Sequence, residues 1–475
     1  MERKSVLISA DHGLAIVYFL QSDVVSVLRE AGIEVILLTD ESIKNQIEER
    51  FGDLGIKVEG LRNSDARKYA SVAHELQWWL AFLRRVGSSK RINTSAMDSY
   101  IRQVAVEEPN RRRVLMPLAR IFIGILRHSR RARKFLISAQ AFFTPNLYLD
   151  LFTRYKPDLV ITSTPGWRLD RYLLREAVSS KIPTVSVVVG WDNPSSYGLP
   201  GAKVNAISCW SALQKQELGL GSDWSQNHVH IGGIPSYDGY FRGTWRMTRE
   251  EYFELHHLDP SRKLLSYACS FVSFSPNLQN IEALSNLVNS SRLREPCQLL
   301  IRLHPNHFMD VHLFADERAR IQGLASEFPN IHVVEPLPLG GELDYYSGED
   351  MPEKASMLSH SDIFLTVYST MVVEAAIHDR PIISACIDAP NGWDTPRKYS
   401  LPLSRIGDWP THMRFRQAGA GLVAENEDQL CQMINHYLGN PEANSLERSK
   451  FVQQEVTYTD GSAGRRTGEF ILSLL

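Results

Sequence analysis

Asp362-Ile363-Phe364-Leu365-Thr366-Val367-Tyr368-Ser369-Thr370-Met371-Val372-Val373-Glu374-Ala375-Ala376 carries the pattern that decides the fold. Ile363 to Val367 is an apolar, partly β-branched run of the kind that forms a strand covered on both faces. Tyr368-Ser369-Thr370 interrupts it, and an apolar helix begins at once, with Ser369 or Thr370 placed to cap it. Free backbone N–H groups at such an end suit an anion. Glu374 falls about one turn inside, among Val and Ala. A carboxylate there is costly unless it is paired or used, and holding a ribose diol is one use.

The same alternation of apolar run and amphipathic stretch extends outward in both directions. Leu264–Ala268, Leu299–Leu303, His332–Val334 and Pro381–Ile387 read as further strands of the second half, and Val6–Ile8, Val35–Leu38, Asp158–Thr162 and Thr184–Val189 as strands of the first. Strands separated by helix-length segments predict parallel α/β units. Between about residues 65 and 148 the alternation lapses into helical, aromatic and basic material, read as a helical insertion. With 475 residues the chain exceeds what one core usually serves. The expected organisation is α/β, with two doubly wound domains facing across a cleft: residues 1–243, residues 244–462, and a terminal helix, 463–475, that returns to the first.

Composition narrows the function. Hydrophobic residues make up 43% and charged residues 22%, and 52 Lys and Arg stand against 54 Asp and Glu. Sizeable cores are expected, and a globally basic nucleic-acid binder is not. The five cysteines are scattered without metal-ligand spacing, which suits a reducing compartment. No run of about 20 uncharged apolar residues occurs. A cytoplasmic protein with no metal and no cofactor is expected.

Ligands of doubly wound sheets collect just after strand carboxyl ends, which singles out the loops there. Asp11-His12-Gly13 follows the first strand; either Asp11 or His12 could serve as a general base, and the simpler reading is a turn. Trp191-Asp192-Asn193-Pro194 offers an aromatic platform with hydrogen-bonding neighbours, or else an Asn-Pro turn under a packed Trp. Gly232-Gly233 reads as a hinge or tight turn. Ser270 to Pro276, with Ser273, suits either a phosphate or ordinary capping. Arg302-Leu303-His304-Pro305 closes a strand where a cationic or hydrogen-bonding side chain could meet a diphosphate. No Asp-x-Asp triplet occurs, so charge neutralisation falls to helix ends, His304 and basic residues.

In this order, these segments resemble the glycosyltransferase-B (GT-B) superfamily of nucleotide-sugar enzymes. Strand-Ser369-Thr370-x-x-x-Glu374-Ala375-Ala376, followed by Asp379-Arg380-Pro381, is similar to the donor region of surface-polysaccharide glycosyltransferases, CDP-glycerol glycerophosphotransferases and UDP-GlcNAc 2-epimerases. Leu303-His304-Pro305 and Asp460-Gly461-Ser462-Ala463-Gly464-Arg465-Arg466 match that wider group, as do Asp11-His12-Gly13, Trp191-Asp192-Asn193 and Gly233 to Asp238. The resemblance implies Rossmann-like domains and a metal-independent transfer of a sugar from a nucleotide diphosphate to a surface-glycan or lipid-linked acceptor.

Residue by residue, it implies that Glu374 holds the ribose. Ser369, Thr370 and His304, with Tyr368, Arg302 and Ser273 around them, would hold the diphosphate. Trp191, Asp192 and Asn193 would face the acceptor, and Asp11 or His12 would be the base. Thr366 stands eight residues before Glu374, where many retaining members have an acid, so inversion is preferred. Thr370 and Met371 replace the glycine pair of the epimerases, and Ala375 replaces their second glutamate. Val367 replaces an aspartate usual in the glycerophosphotransferases. An epimerase-like isomerase and a non-catalytic nucleotide-binding protein are the alternatives.

Arg111 to Lys134 holds nine basic residues and no acidic one, with Leu115, Leu118, Phe122 and Leu126 between them. Such a segment can rest on an anionic membrane surface, at the inner face of the membrane, or be a solvated basic face.

Overall fold

The computed structural model describes residues 4–72, 75–270, 277–309, 312–340, 345–346, 348–388 and 402–475. They form two compact units.

The first unit comprises residues 1–238, 339–348 and 455–475. Seven strands build its sheet: β1 (Ser5–Ser9), β2 (Glu34–Thr39), β3 (Lys57–Gly60), β4 (Leu159–Thr162), β5 (Thr184–Val187), β6 (Ala206–Cys209) and β7 (Val229–Ile231). Their order is β3-β2-β1-β4-β5-β6-β7, with parallel pairing throughout. The order reverses between β1 and β4, so Asp11 and Ser163 leave the sheet side by side, where a doubly wound sheet opens its crevice. Val6, Ile8, Val35, Leu37 and Ile161 face one core, while Leu7, Ile36, Leu38 and Val160 face another. Between β3 and β4 the chain is helical: Glu75–Val86, Ser95–Glu107 and Met116–His128 share a core of their own around Phe82, Met97 and Ile123, and Arg130–Ala139 packs Leu136 against Leu126 and Leu199.

The second unit comprises residues 239–338 and 349–454. It holds β8 (Lys263–Ala268), β9 (Cys297–Arg302) and β10 (Ile331–Val334). A short ribbon, β11 (Pro338–Gly340) with β12 (Tyr345–Tyr346), comes next in sequence but from residue 339 belongs to the first unit; β13 (Ile363–Thr366), β14 (Ile382–Ala385) and β15 (Leu422–Ala424) complete the second. The six-stranded sheet runs β10-β9-β8-β13-β14-β15, again parallel. Its reversal lies between β8 and β13, which puts Tyr368-Ser369-Thr370 at the second crevice.

The dividing points have local causes. Asp238 accepts hydrogen bonds from the backbone N–H groups of Ala463 and Gly464 (2.9 and 2.8 Å), whereas Tyr240 donates to Glu374 of the second unit. The division therefore falls between Asp238 and Gly239, not at 243/244. On the return, Glu455 accepts the Trp191 indole N–H and Thr457 accepts from the backbone of Ala212, so the first unit resumes at Glu455 rather than 463. The helix Ala463–Leu472 lies along the helix Asp23–Glu30. Gly464 and Gly468 make that approach, since a Cβ on either would come within 2.8 Å of Asp23 N or Val27 Cβ. Among the described residues no helix is long and apolar enough to cross a membrane.

Candidate functional site

The end of β13 is built around a strained turn. Tyr368 adopts φ 40, in the left-handed region, at a cost for a residue with a side chain of about 1–2 kcal/mol. Its ring lies in a cluster with Val367, Cys386, Leu403 and Ile406 and packs on His412 at 4.8 Å. Tyr368 is thus a buried anchor of the turn and not the open donor contact expected of it. Ser369 and Thr370 follow, both partly exposed. The Ser369 hydroxyl accepts from the Met371 N–H at 3.3 Å, and Thr370 is the N-cap of the helix Met371–Ile377.

Glu374 points inward and is 4% exposed. Its Oε2 accepts the Tyr240 hydroxyl and pairs with Lys354 Nζ at 2.6 Å. Both contacts use one oxygen, so among the described residues Oε1 is left to accept from a further donor. His378 packs edge-on against Tyr240 at 5.2 Å. Burial pushes its pKa down to about 4, against the pull of Glu374, so the imidazole is neutral at pH 7. A buried carboxylate needs such partners.

His304 is partly buried, and its Nδ1 accepts the Asn306 N–H at 3.1 Å, which places the ring proton on Nε2. Burial, with His307 and Arg302 nearby, lowers its pKa to about 3. It is a neutral hydrogen-bond donor, not a cation. Arg302 is buried and spent on Asp350 and Glu353. The expected diphosphate contact from Arg302 is therefore corrected: two carboxylates already neutralise it. Ser273 lies outside the described residues.

In the first unit, Asp11 is fully buried after β1. Its Oδ1 accepts the Ser163 hydroxyl, and its Oδ2 has no hydrogen bond among the described residues. Arg168 Nε stands 3.7 Å from Oδ2, and His12 Nε2 stands 3.8 Å from Oδ1, too far for a hydrogen bond. Burial lowers the His12 pKa to about 4. A second carboxylate, Asp170, accepts from Thr164 Oγ1 at 2.6 Å; burial, then the nearby Asp11 charge, pushes its pKa up.

Trp191 is only 1% exposed, and its N–H is taken by Glu455 at 2.7 Å. It is a wall of the core and offers no sugar platform. Asp192 and Asn193 stay partly exposed, but Asn193 Oδ1 accepts the Gly190 N–H and its amide N–H reaches Asp192 Oδ1 at 3.4 Å, so they also brace their own loop.

Sequence reasoning missed Lys354, Tyr240, Ser163, Arg168 and Asp170. The one available signal was the charged Asp350-x-x-Glu353-Lys354 start of a helix that is otherwise small and apolar. The basic segment is also revised. Arg112 pairs with Glu75 and Glu108, Arg127 with Asp98, and Arg133 with Asp223. Leu126 is buried. On the helix Met116–His128, Met116, Ala119, Ile123 and Leu126 face inward, while Leu118, Ile121, Phe122 and Ile125 are exposed, with Arg120, Arg131 and Lys134 exposed as well.

The family model for CDP-glycerol:poly(glycerophosphate) glycerophosphotransferase matches residues 345–473. No curated protein sequence matches the chain. Among solved structures, UDP-GlcNAc 2-epimerase from Neisseria meningitidis bound to UDP-GlcNAc is similar at 15% identity and TM-score 0.54, covering 99% of this chain and 100% of that one. The S. aureus MnaA–UDP co-structure is similar at 13% and 0.54, covering 99% and 98%. A glycosyltransferase from Rickettsia africae ESF-5 is similar at 11% and 0.50, covering 100% and 99%. Two parallel α/β units with these strand orders share their fold with these structures over nearly the whole length of the chain.

Proposed function

We propose that the chain is a metal-independent glycosyltransferase that moves a sugar from a nucleotide diphosphate to a hydroxyl of a glycan or lipid-linked acceptor. The observation that carries this reading is Glu374: a buried carboxylate at the crevice of the second sheet, oriented by Tyr240 and Lys354, with Oε1 available to a ribose hydroxyl. Lys354, the Nε2–H of His304 and the hydroxyls of Ser369 and Thr370 would hold the diphosphate and the charge that grows on it as the sugar departs. The acceptor would lie on the first unit, with Asp192 and Asn193 among its contacts. Asp11, with Arg168 Nε 3.7 Å from its Oδ2, would take the acceptor proton as the new C–O bond forms and the bond from anomeric carbon to phosphate oxygen breaks. In-line displacement of this kind inverts the anomeric centre.

A lipid-linked acceptor is favoured by the apolar face of Leu118, Ile121, Phe122 and Ile125 beside Arg120, Arg131 and Lys134, which matches the chemistry of an anionic membrane surface. The match over residues 345–473 supports a second reading, transfer of a glycerophosphate group from CDP-glycerol. The two differ in what leaves. Sugar transfer frees a nucleoside diphosphate, and attack at phosphorus frees CMP. Purified protein is incubated with UDP-, GDP-, CDP- and dTDP-sugars and with CDP-glycerol, with and without lipid-linked acceptor. Acceptor-dependent release of a nucleoside diphosphate is expected; CMP release establishes the second reading, and sugar interconversion without acceptor sinks both.

A further inference from the structure

An open cavity of about 980 Å³ lies in the first unit among the segments 89–91, 127–133 and 212–226. Lys90, Arg91, Arg127, Arg130, Arg133 and Lys215 line it, and among the described residues Asp223 is the one carboxylate in the lining. Asp223 is heavily shared. It takes Arg133 at 2.6 Å, Arg91 at 3.3 Å and Arg130 at 4.0 Å.

Two donors on the lining are left without an acceptor among the described residues. Arg127 is 8% exposed; its Nη1 is bound by Asp98 and its Nε donates to the Val86 carbonyl, yet its Nη2 has no hydrogen-bond partner among the described residues. The buried indole N–H of Trp224, on the same lining, also has none among the described residues. A buried donor left unsatisfied is costly, and both orphans are donors. The helix Arg130–Ala139 adds to the imbalance. It starts with Arg130, Arg131, Arg133 and Lys134 and has no acidic residue in its first turn, which sets cations against the positive end of its own dipole. A multiply charged anion would satisfy both N–H groups and relieve that repulsion together.

We propose that this cavity is a binding site for a phosphorylated polyanion of the diphosphate class. It belongs to the first unit and does not depend on the nucleotide assignment made for the second. The group could arrive free or as the headgroup of a lipid, and its recognition by cations and N–H donors would be the same.

The test uses the full chain and inorganic diphosphate in a titration calorimeter, at low salt so that screening does not hide the interaction. Trp224→Phe removes one orphan donor and keeps a ring. Lys90→Gln/Arg130→Gln/Lys215→Gln removes charge from solvent-accessible positions. A lost hydrogen bond to a charged group corresponds to roughly tenfold in affinity, so Trp224→Phe is expected to weaken diphosphate binding about that much and the triple variant at least as much. Sedimentation with phosphatidylcholine vesicles, with and without phosphatidic acid, distinguishes the source. Retention on phosphatidic acid vesicles that falls with Trp224→Phe assigns the site to a lipid headgroup. Diphosphate affinity that falls in solution without any such retention assigns it to a free ligand. Absence of binding to either probe overturns the proposal. Binding unchanged in both cavity variants overturns it too, and diphosphate binding lost only in Glu374→Gln would place the anion at the nucleotide site instead.

Discussion

Replacing Glu374 by Gln separates the ion pair from the ligand contact assigned to it. The substitution keeps size and a hydrogen-bonding group for Tyr240, but strands the Lys354 ammonium, whose side chain is 12% exposed. Breaking a buried pair by removing one partner costs about 3 kcal/mol or more. In a unit of about 200 residues each kcal/mol is worth roughly 2–4 °C, so the ligand-free Tm should fall by roughly 6–12 °C. Adding Lys354→Met should recover most of that loss, because the double variant no longer holds an uncompensated charge.

Ligand response is a second, independent readout. A nucleoside diphosphate at 100 times its Kd stabilises the native chain by about 2.7 kcal/mol. If Glu374 supplies one charge-assisted hydrogen bond to the ribose, worth about 1.5 kcal/mol, Kd rises roughly tenfold in the variant. The same ligand concentration then gives about 1.4 kcal/mol, half the original shift. Differential scanning fluorimetry with and without ligand measures both quantities. A variant that loses stability yet keeps the full ligand shift would show that Glu374 only holds the second unit together, and the ribose assignment would be refuted.

Phe122→Ser with Ile125→Ser removes two half-exposed apolar groups from the Met116–His128 helix; partition onto anionic vesicles should weaken about tenfold or more with Tm unchanged, and equal co-sedimentation would dismiss the membrane face. Arg302→Met leaves Asp350 and Glu353 buried without their cation, at about 3–5 kcal/mol near pH 7. Burial alone raises the Glu353 carboxyl, but Arg302 and His256 outweigh it and hold its pKa below the ordinary value, so in the wild type its contribution is present above about pH 4.3 and lost as pH falls further. Without Arg302 the burial effect prevails and the sign reverses: urea titrations should show the variant's deficit shrinking from pH 7 toward pH 4. Acid should also unfold the chain through its buried imidazoles, because burial holds His12 and His378 at about 4 and His412 at about 3. Unfolded histidine takes up its proton near 6.5, so stability is highest above that pH and drops through the window from 6.5 to 4. His412→Phe should remove about 2 kcal/mol of the drop at pH 5; an unchanged pH profile would contradict it.

The sheets were legible wherever strands are buried on both faces, because Ile363 to Thr366 or Val6 to Ile8 can be read as nothing but apolar runs of strand length. Lys57–Gly60 and Ala206–Cys209 were missed, since short strands with Lys, Glu and Ser carry no such run. At the site, the cost of placing Glu374 among Val and Ala was visible locally, but its partners were not. Lys354 and Tyr240 lie 20 and 134 positions away, and only the folded sheet brings them together. Direction was equally hidden. A tryptophan after a strand can face solvent or core, and Trp191 faces inward because Glu455, 264 positions on, accepts its N–H. Arg302 looked available for the same reason: Asp350 and Glu353, which claim it, are 48 and 51 positions downstream.

The clasp of Asp238 on Ala463 and Gly464 has a consequence for biosynthesis. Residues 239–338 and 349–454, the whole second unit, are translated between the two halves of that clasp. At about 5–20 residues per second the ribosome needs roughly ten to forty seconds to bridge the interval. During that time the helix Asp23–Glu30 has nothing to cover the flank that Gly464 and Gly468 later occupy. The nascent chain must carry this bare flank until Ala463–Leu472 emerges, and chaperones that recognise apolar helices would find their target there.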